Sequence, residues 1–150
     1  MIMLIILEGC DGVGKTTLAN YLARIMDAEI IHCTKETPND LKFFNRIIAK
    51  SIFKNIIADR FCYGQFVYQT RQERNLTKDD LRILEESMLL VGAKLIHVVA
   101  PVREIEKRLA LRGEKLDMSI WDILWNYHRI IEQSILPVVQ WGTGEGGFHE

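Results

Sequence analysis

The chain has 150 residues, 48% of them hydrophobic and 26% charged, with nineteen Lys and Arg against twenty Asp and Glu for a net charge of -1. A chain of this length buries roughly 68–70% of the surface that its unfolded form exposes, so one domain can hold itself together without disulfides or a structural metal; disorder, a collagen repeat and a small stapled scaffold are excluded. Balanced charge leaves no bulk positive field to hold a polyanion, which argues against non-specific nucleic-acid binding.

The apolar start, residues 1–7, has no basic flank and falls far short of the ~20 residues that span a bilayer, so no leader and no membrane contact are expected. Its unbroken Ile, Leu and Met at 2–7 predict a parallel strand covered on both faces. A helix follows from Lys15, with Leu18, Leu22, Ile25 and Met26 on one face. A short strand at 29–33 comes next, then a helix opened by Pro38 or Asn39 that carries Leu41, Phe44, Ile47 and Ile48; Asn55 closes it before a strand at 56–59. Residues 61–72 read as helical and the polar stretch 72–75 breaks them; Thr77 caps a helix at 78–91 that Gly92 stops. A buried strand at 94–100, a helix from Pro101 to Leu111, an interruption at Gly113, a long helix at 120–136 and a strand at 138–141 complete the pattern. The glycine-rich tail, 142–150, reads as flexible.

Strands alternating with helices at this spacing predict an α/β fold, a parallel β-sheet with helices on both faces in a single domain, with ligands at the carboxyl ends of the strands. Cys10, Cys33 and Cys62 suit neither a zinc site nor an even disulfide set, so a reduced, cytoplasmic setting is expected. His32, His97, His128 and His149 are scattered and receive no catalytic role. Trp121, Trp125 and His128 form a second stripe on the last helix beside Ile120, Leu124, Tyr127, Ile131 and Ile135; it is either a wide core face or a partner surface, and a homodimer is expected.

Gly9-Cys10-Asp11-Gly12-Val13-Gly14-Lys15-Thr16 matches G-x-x-x-x-G-K-[ST] and lies between a predicted strand and a predicted helix, the context the pattern needs. Glycines let the backbone curl so that successive N–H groups face one concavity, where the helix N-terminus adds positive potential. Lys15 would neutralise β- and γ-phosphates, Thr16 would offer a hydroxyl to Mg²⁺, and Thr17 follows in the first helical turn. The competing interpretation is a Gly-rich turn with an exposed lysine. The guanine-reading N-K-x-D of GTPases is absent, and D-x-x-G occurs only inside the loop itself at 11–14, so a small kinase is the expected class.

With Leu7-Glu8 ahead of the loop and Thr17 behind it, Asp59-Arg60-Phe61, Tyr68-Gln69 and Arg108-Leu109-Ala110-Leu111-Arg112-Gly113-Glu114, the sequence resembles the thymidylate kinases from residue 2 to about 139. The resemblance implies the P-loop nucleoside triphosphate hydrolase/kinase fold, ATP and Mg²⁺ as cofactors, a small-molecule nucleotide acceptor, and phosphorylation of dTMP to dTDP. By the same resemblance Gly9, Gly12, Val13, Gly14, Lys15, Thr16 and Thr17 cradle the donor phosphates. Asp11 faces the acceptor or the nearby metal, Asp59 and Thr16 support Mg²⁺, and Arg60 clamps donor and acceptor in line. Tyr68 sits against the acceptor C2′ and disfavours a ribose hydroxyl, Gln65 reads the thymine edge, and Phe43, Phe44 and Arg46 match the stacking and base-reading positions, one phenylalanine being left for the core. Gly12 stands where one subtype carries a catalytic arginine, so Arg108 and Arg112, in a lid at about 103–118, would supply that charge; a solvated basic helix face is the alternative.

Two departures are visible. The stretch 16–58 is shorter than in typical thymidylate kinases, with only 34–38 resembling their loop after the second strand, and the chain stops before a last helix those enzymes carry. Two alternatives stay open beside dTMP. One is a nucleoside or polynucleotide kinase, possible with a modified pyrimidine in nucleic acid, in which Glu8 or Asp11 must deprotonate a hydroxyl. The other is a non-catalytic nucleotide-binding module.

Overall fold

The computed structural model describes residues 2–68, 76–116 and 118–143. Leu4–Glu8 (β1) is buried along its whole length, as the run of large aliphatics requires. Glu29–His32 (β2) and Ile56–Asp59 (β3) lie to one side of it, Lys94–Val99 (β4) and Val138–Gly142 (β5) to the other. All pairs are parallel and the order is β2-β3-β1-β4-β5. Complete burial of both β1 and β3 requires cover on both faces, the layered α/β architecture expected.

Lys15–Met26 (α1) packs on β1, β2 and β3 through Leu18 and Ala19. Leu41–Lys50 (α2) and Lys78–Leu90 (α3) pack together, and Val102–Leu111 (α4) and Ile120–Glu132 (α5) follow β4. Several boundaries differ from expectation, each for a local reason. β1 runs from Leu4 to Glu8 rather than over 2–7, because Met3 ends outside the ladder with its N–H held by the Asn55 side chain at 2.9 Å. β2 ends at His32 and β4 at Val99, one residue earlier than the patterns predict. Asp40, not Pro38 or Asn39, caps α2 by accepting the Phe43 N–H at 2.8 Å. That helix stops at Lys50, and Asn55 instead ties Met26 O to Met3 N across the sheet edge.

The helix expected over 61–72 is a short 3-10 turn, Cys62–Phe66, closed by Val67 and Tyr68 N–H groups on the Gly64 carbonyl; the rest of that expectation, 69–75, lies outside the described residues. Thr77 and Asp80 form a reciprocal capping box on α3, and Val91 is its cap. α5 ends at Glu132 instead of residue 136, because Pro137 disfavours helical backbone at Leu136 and Ser134 turns its hydroxyl onto Glu85 at 2.5 Å. The tail begins in order rather than flexibly: Gly142 pairs with Val99, and Thr143 N–H donates to the Val99 carbonyl at 2.8 Å. Residues 144–150 lie outside the described ones, as does residue 117 of the expected lid.

Candidate active site

The carboxyl ends of β1 and β3 meet at one edge of the sheet, and the chain leaves each of them into a tight turn. After β1 the loop starts at Gly9, where a Cβ would stand 2.4 Å from the Val98 carbonyl, so only glycine lets the loop pass that close to β4. Gly14 immediately precedes α1 in the left-handed region, φ 97°, and the first N–H groups of that helix close the cradle. Lys15 is buried, its Nζ donating to the carbonyls of Gly9 at 2.9 Å and Cys10 at 3.4 Å, which keeps the ammonium on the floor of the loop. Burial, and then the neighbouring Arg60, lower its proton affinity; Asp11, Asp59 and Glu8 oppose them.

At the end of β3, Asp59 is almost fully buried and accepts the Thr16 hydroxyl at 3.0 Å. His32 Nδ1 lies 3.1 Å from the same Asp59 oxygen, because the β2–β3 register sets His32 directly beside Asp59. Two hard oxygen ligands, a hydroxyl and a carboxylate, converge there, a donor set suited to Mg²⁺ that also keeps waters and phosphate oxygens. Among the described residues no group of three or more His, Cys, Asp or Glu could cage a metal by itself.

Arg60 follows at φ 69°, a left-handed conformation uncommon for a residue with a side chain. Its Nη2 donates to Asp11 Oδ1 in the phosphate loop, its guanidinium carbon lies 5.1 Å from the centre of the Tyr68 ring, and its buried Nε has no protein partner among the described residues. Burial works against the guanidinium charge, but the oxygens of Tyr127 and Tyr68 and the carboxylates of Asp11 and Glu8 outweigh it, and the arginine stays protonated. Beneath this corner Glu8 is completely buried, accepting the Phe61 N–H at 3.0 Å and the Tyr127 hydroxyl at 3.2 Å. Burial pushes its carboxyl up from 4.5 to about 7 against the pull of Arg60, the Phe61 N–H, Lys15 and Tyr127.

On the side expected to take the acceptor, Tyr68 is buried edge-on to Tyr127, with ring centres 6.0 Å apart. Phe44 is the core phenylalanine, packed on Phe61 at 4.7 Å, while Phe43 is only partly buried and Arg46, one turn on, is exposed. Gln65 bridges two segments: its amide donates to the Asn39 carbonyl at 2.5 Å and accepts the Leu76 N–H at 3.2 Å. Gln69 lies outside the described residues.

On the other side of the loop opens a cavity of about 980 Å³, lined by Gly12, Gly14, Thr16, Thr17 and Leu18, by Tyr21 of α1, by Arg108, Leu111 and Arg112, and by Trp141 and Thr143. α4 rests directly on the phosphate loop, since a Cβ on Gly12 would meet Ile105 and Leu109 at 3.2 Å. Arg108 donates to the Gly12 carbonyl at 3.0 Å and to Thr143 Oγ1 at 3.2 Å, and Thr143 donates in turn to the Val13 carbonyl at 2.5 Å. Arg112 stands just beyond the helix, half exposed, 3.7 Å from the Glu114 carboxylate. The lid arginines therefore differ: Arg108 touches the loop and Arg112 borders the cavity.

The structure brings Asp11, Lys15, Thr16, Asp59 and Arg60, all expected at the site, into one corner of the sheet. Sequence reasoning missed His32, Thr143, Tyr21 and Trp141. Parallel strand register brings His32 to the site and the pairing of β5 with β4 brings Trp141 and Thr143, neither of which is written in local sequence; Tyr21 comes from α1, one turn beyond Thr17, where helix spacing could have found it.

No protein-family model matches the chain, and no curated protein sequence does. Among solved structures, the chain is similar to the Bacillus subtilis YorR protein, crystallised in complex with phosphorylated GDP, at 30% identity and a TM-score of 0.80, covering 95% of this chain and 86% of that one. It is also similar to deoxyadenosine kinase from M. mycoides, at 18% identity and a TM-score of 0.58 over 92% of this chain and 88% of that one. Thymidylate kinase from Candida albicans matches at 16% identity and a TM-score of 0.53, over 93% and 83%. The last two likenesses establish a fold, that of P-loop kinases.

Proposed function

The chain belongs to the family of the YorR protein, within the P-loop kinase fold, and on that premise we propose that it transfers the γ-phosphoryl group of ATP to the phosphate of a deoxynucleoside monophosphate, dTMP first among them. Arg60 is the observation that carries this reading. A permanently charged guanidinium, donating to Asp11 in the phosphate loop and lying over the Tyr68 ring, supports a hold on phosphoryl oxygens at the end of β3.

The chemistry follows from what each group faces. The loop N–H groups and Lys15 receive the donor phosphates, and Arg108, fixed on the Gly12 carbonyl, stands beside them from the lid. Thr16 and Asp59 would hold Mg²⁺, which when bound neutralises charge on the donor oxygens. Arg60 orients the acceptor phosphate against the donor, so that transfer needs little beyond alignment and charge. An ionised phosphate acceptor brings its own nucleophile. A hydroxyl acceptor needs a base, yet Glu8 has both oxygens engaged and is sealed from solvent, and Asp11 is paired with Arg60. That favours the monophosphate over the nucleoside or polynucleotide reading.

Tyr68, buried under Arg60, supports selection for deoxyribose, and Phe43 with Arg46 supports reading of the base. Trp121 and Trp125, 66% and 59% exposed on α5, support a homodimer, which sedimentation would test. Because YorR was crystallised with phosphorylated GDP, guanine nucleotides belong in the acceptor panel beside dTMP, the other monophosphates, nucleosides and oligonucleotide ends. The expected outcome is ATP-dependent conversion of dTMP to dTDP. Transfer only to a hydroxyl would overturn the monophosphate assignment, and nucleotide binding without any acceptor-dependent turnover would favour a binding module.

A further inference from the structure

Glu8 is an ionisable side chain with no exposure and no place in the chemistry above, and such a group is costly unless its contacts serve something. Its contacts point to one residue. β1 fixes two successive N–H groups of the chain leaving β3: the Leu7 carbonyl takes Arg60 N–H at 2.9 Å, and the Glu8 carboxylate takes Phe61 N–H at 3.0 Å. Between those two anchors Arg60 stands at φ 69°. Non-glycine residues keep this conformation only where surrounding contacts over-determine it, and such positions cluster at functional sites. The other Glu8 oxygen accepts the Tyr127 hydroxyl at 3.2 Å, so α5 locks the carboxylate from behind. The Tyr127 ring also packs edge-on to Tyr68, over which the guanidinium lies.

We propose that Glu8 is a positioning residue for Arg60: by accepting the Phe61 N–H it holds the turn after β3 in the left-handed form that aims the guanidinium across the phosphate loop to Asp11. The role is that of an acceptor at a set distance, not of a charge. It rests on the phosphoryl-transfer reading only for its catalytic consequence; the hold on Arg60 stands apart from it.

Two variants separate acceptor from charge. Glu8→Gln keeps an oxygen at the same reach without the charge, and Glu8→Asp keeps the charge but withdraws the oxygen by one methylene. Exchange protection of the Phe61 amide and the Arg60 Nε–H resonance are read by NMR, and kcat, KM for dTMP and Kd for ATP are measured alongside. In Glu8→Gln the Phe61 amide stays protected, the Arg60 signal keeps its position, and turnover stays within a few-fold of wild type. In Glu8→Asp protection falls at least tenfold and kcat falls roughly 100-fold, the scale of an ångström misplacement at a reacting centre, while Kd for ATP is unchanged. In an Arg60→Ala background the Asp change costs no further turnover, because residues acting as one unit are not additive.

Wild-type protection and turnover in Glu8→Asp would overturn the proposal, as would impairment of Glu8→Gln alone, which would assign the role to charge. A full multiplicative loss in the Arg60→Ala background would also overturn it. Should the wild-type protein transfer phosphate to none of the acceptors, the functional reading fails, and the two resonances still decide the hold on Arg60.

Discussion

Replacement of Gly12 by Ala separates two roles of one glycine, a backbone conformation and a close contact. At φ 90° any Cβ carries the left-handed penalty of roughly 1–2 kcal/mol. The new methyl would also stand 3.2 Å from Ile105 Cγ2 and Leu109 Cγ and 3.3 Å from the Ile105 carbonyl, with backbone on one side that cannot swing away. Overpacking of this kind adds about 1–3 kcal/mol, so Gly12→Ala should destabilise by roughly 2–5 kcal/mol in all. For a chain of this length about 2–4 °C is lost per kcal/mol, which places the fall in Tm at roughly 4–20 °C. Gly92 is the internal control: it has φ 73° and nothing within 4 Å of its Cβ position, so Gly92→Ala should show the conformational part alone. Thermal and urea unfolding of both variants give the difference, and transfer assays should show Gly12→Ala losing turnover as α4 lifts and Arg108 leaves the Gly12 carbonyl. Equal Tm values for the two variants would refute the contact between lid helix and loop.

Lys15→Met should keep the fold, since the ammonium bonds only two loop carbonyls, and remove transfer by orders of magnitude; near-normal turnover would sink the kinase reading. Tyr68→Ala should narrow the preference for dTMP over its ribose counterpart more than it lowers the overall rate, and an unchanged ratio of kcat/KM values would mean the ring does not face C2′. Arg108→Ala should lower kcat far more than it weakens ATP binding, with Arg108→Lys only partly restoring it; Arg112→Ala, at a half-exposed cation, should do less, and wild-type kcat in both Ala variants would return the charge to Arg60 and Lys15. Burial pushes His97 down to about 4, with His128 adding to it, so the unfolded chain takes up this proton before the folded one does. The His97 contribution to stability is thus present above about 6.5 and is lost as pH falls toward 4, and comparison of wild type with His97→Gln by urea unfolding across that window should show the gap closing.

What could be read from the sequence was what short-range chemistry decides. Gly9 to Thr16 announced a phosphate loop because the conformation needs glycines at fixed offsets, and the structure bears out the strand before it and the helix after it. Asp59 and Arg60 were legible as a strand end facing that loop. α1 and α3 form where the patterns predict, but the expected α1 face is only partly the core face: Leu18 is buried, Leu22 and Met26 are half-buried and Ile25 is exposed. Periodicity failed where a tertiary contact overrides it. The last helix carries an apolar stripe up to Ile135 yet stops at Glu132, since Ser134 serves the buried Glu85 and Pro137 begins a new course. Residues 61–68 look helical, but the turn after β3 is dictated by Arg60 φ and by Glu8, fifty-three positions away in sequence. His32 looked isolated for the same reason: its meeting with Asp59 is a matter of parallel register, as is the pairing that carries Thr143 to the loop.

The central claim is that phosphate moves from a nucleoside triphosphate to a nucleotide phosphate held by Arg60. ³¹P NMR of the protein with ATP, Mg²⁺ and dTMP follows each phosphorus directly. The account predicts that the dTMP singlet is replaced by the paired doublets of dTDP as ATP becomes ADP, and that Arg60→Ala slows the change by orders of magnitude, to a residual rate, while ATP still binds. Growth of inorganic phosphate with the dTMP singlet unchanged, or equal dTDP formation by Arg60→Ala, would contradict it.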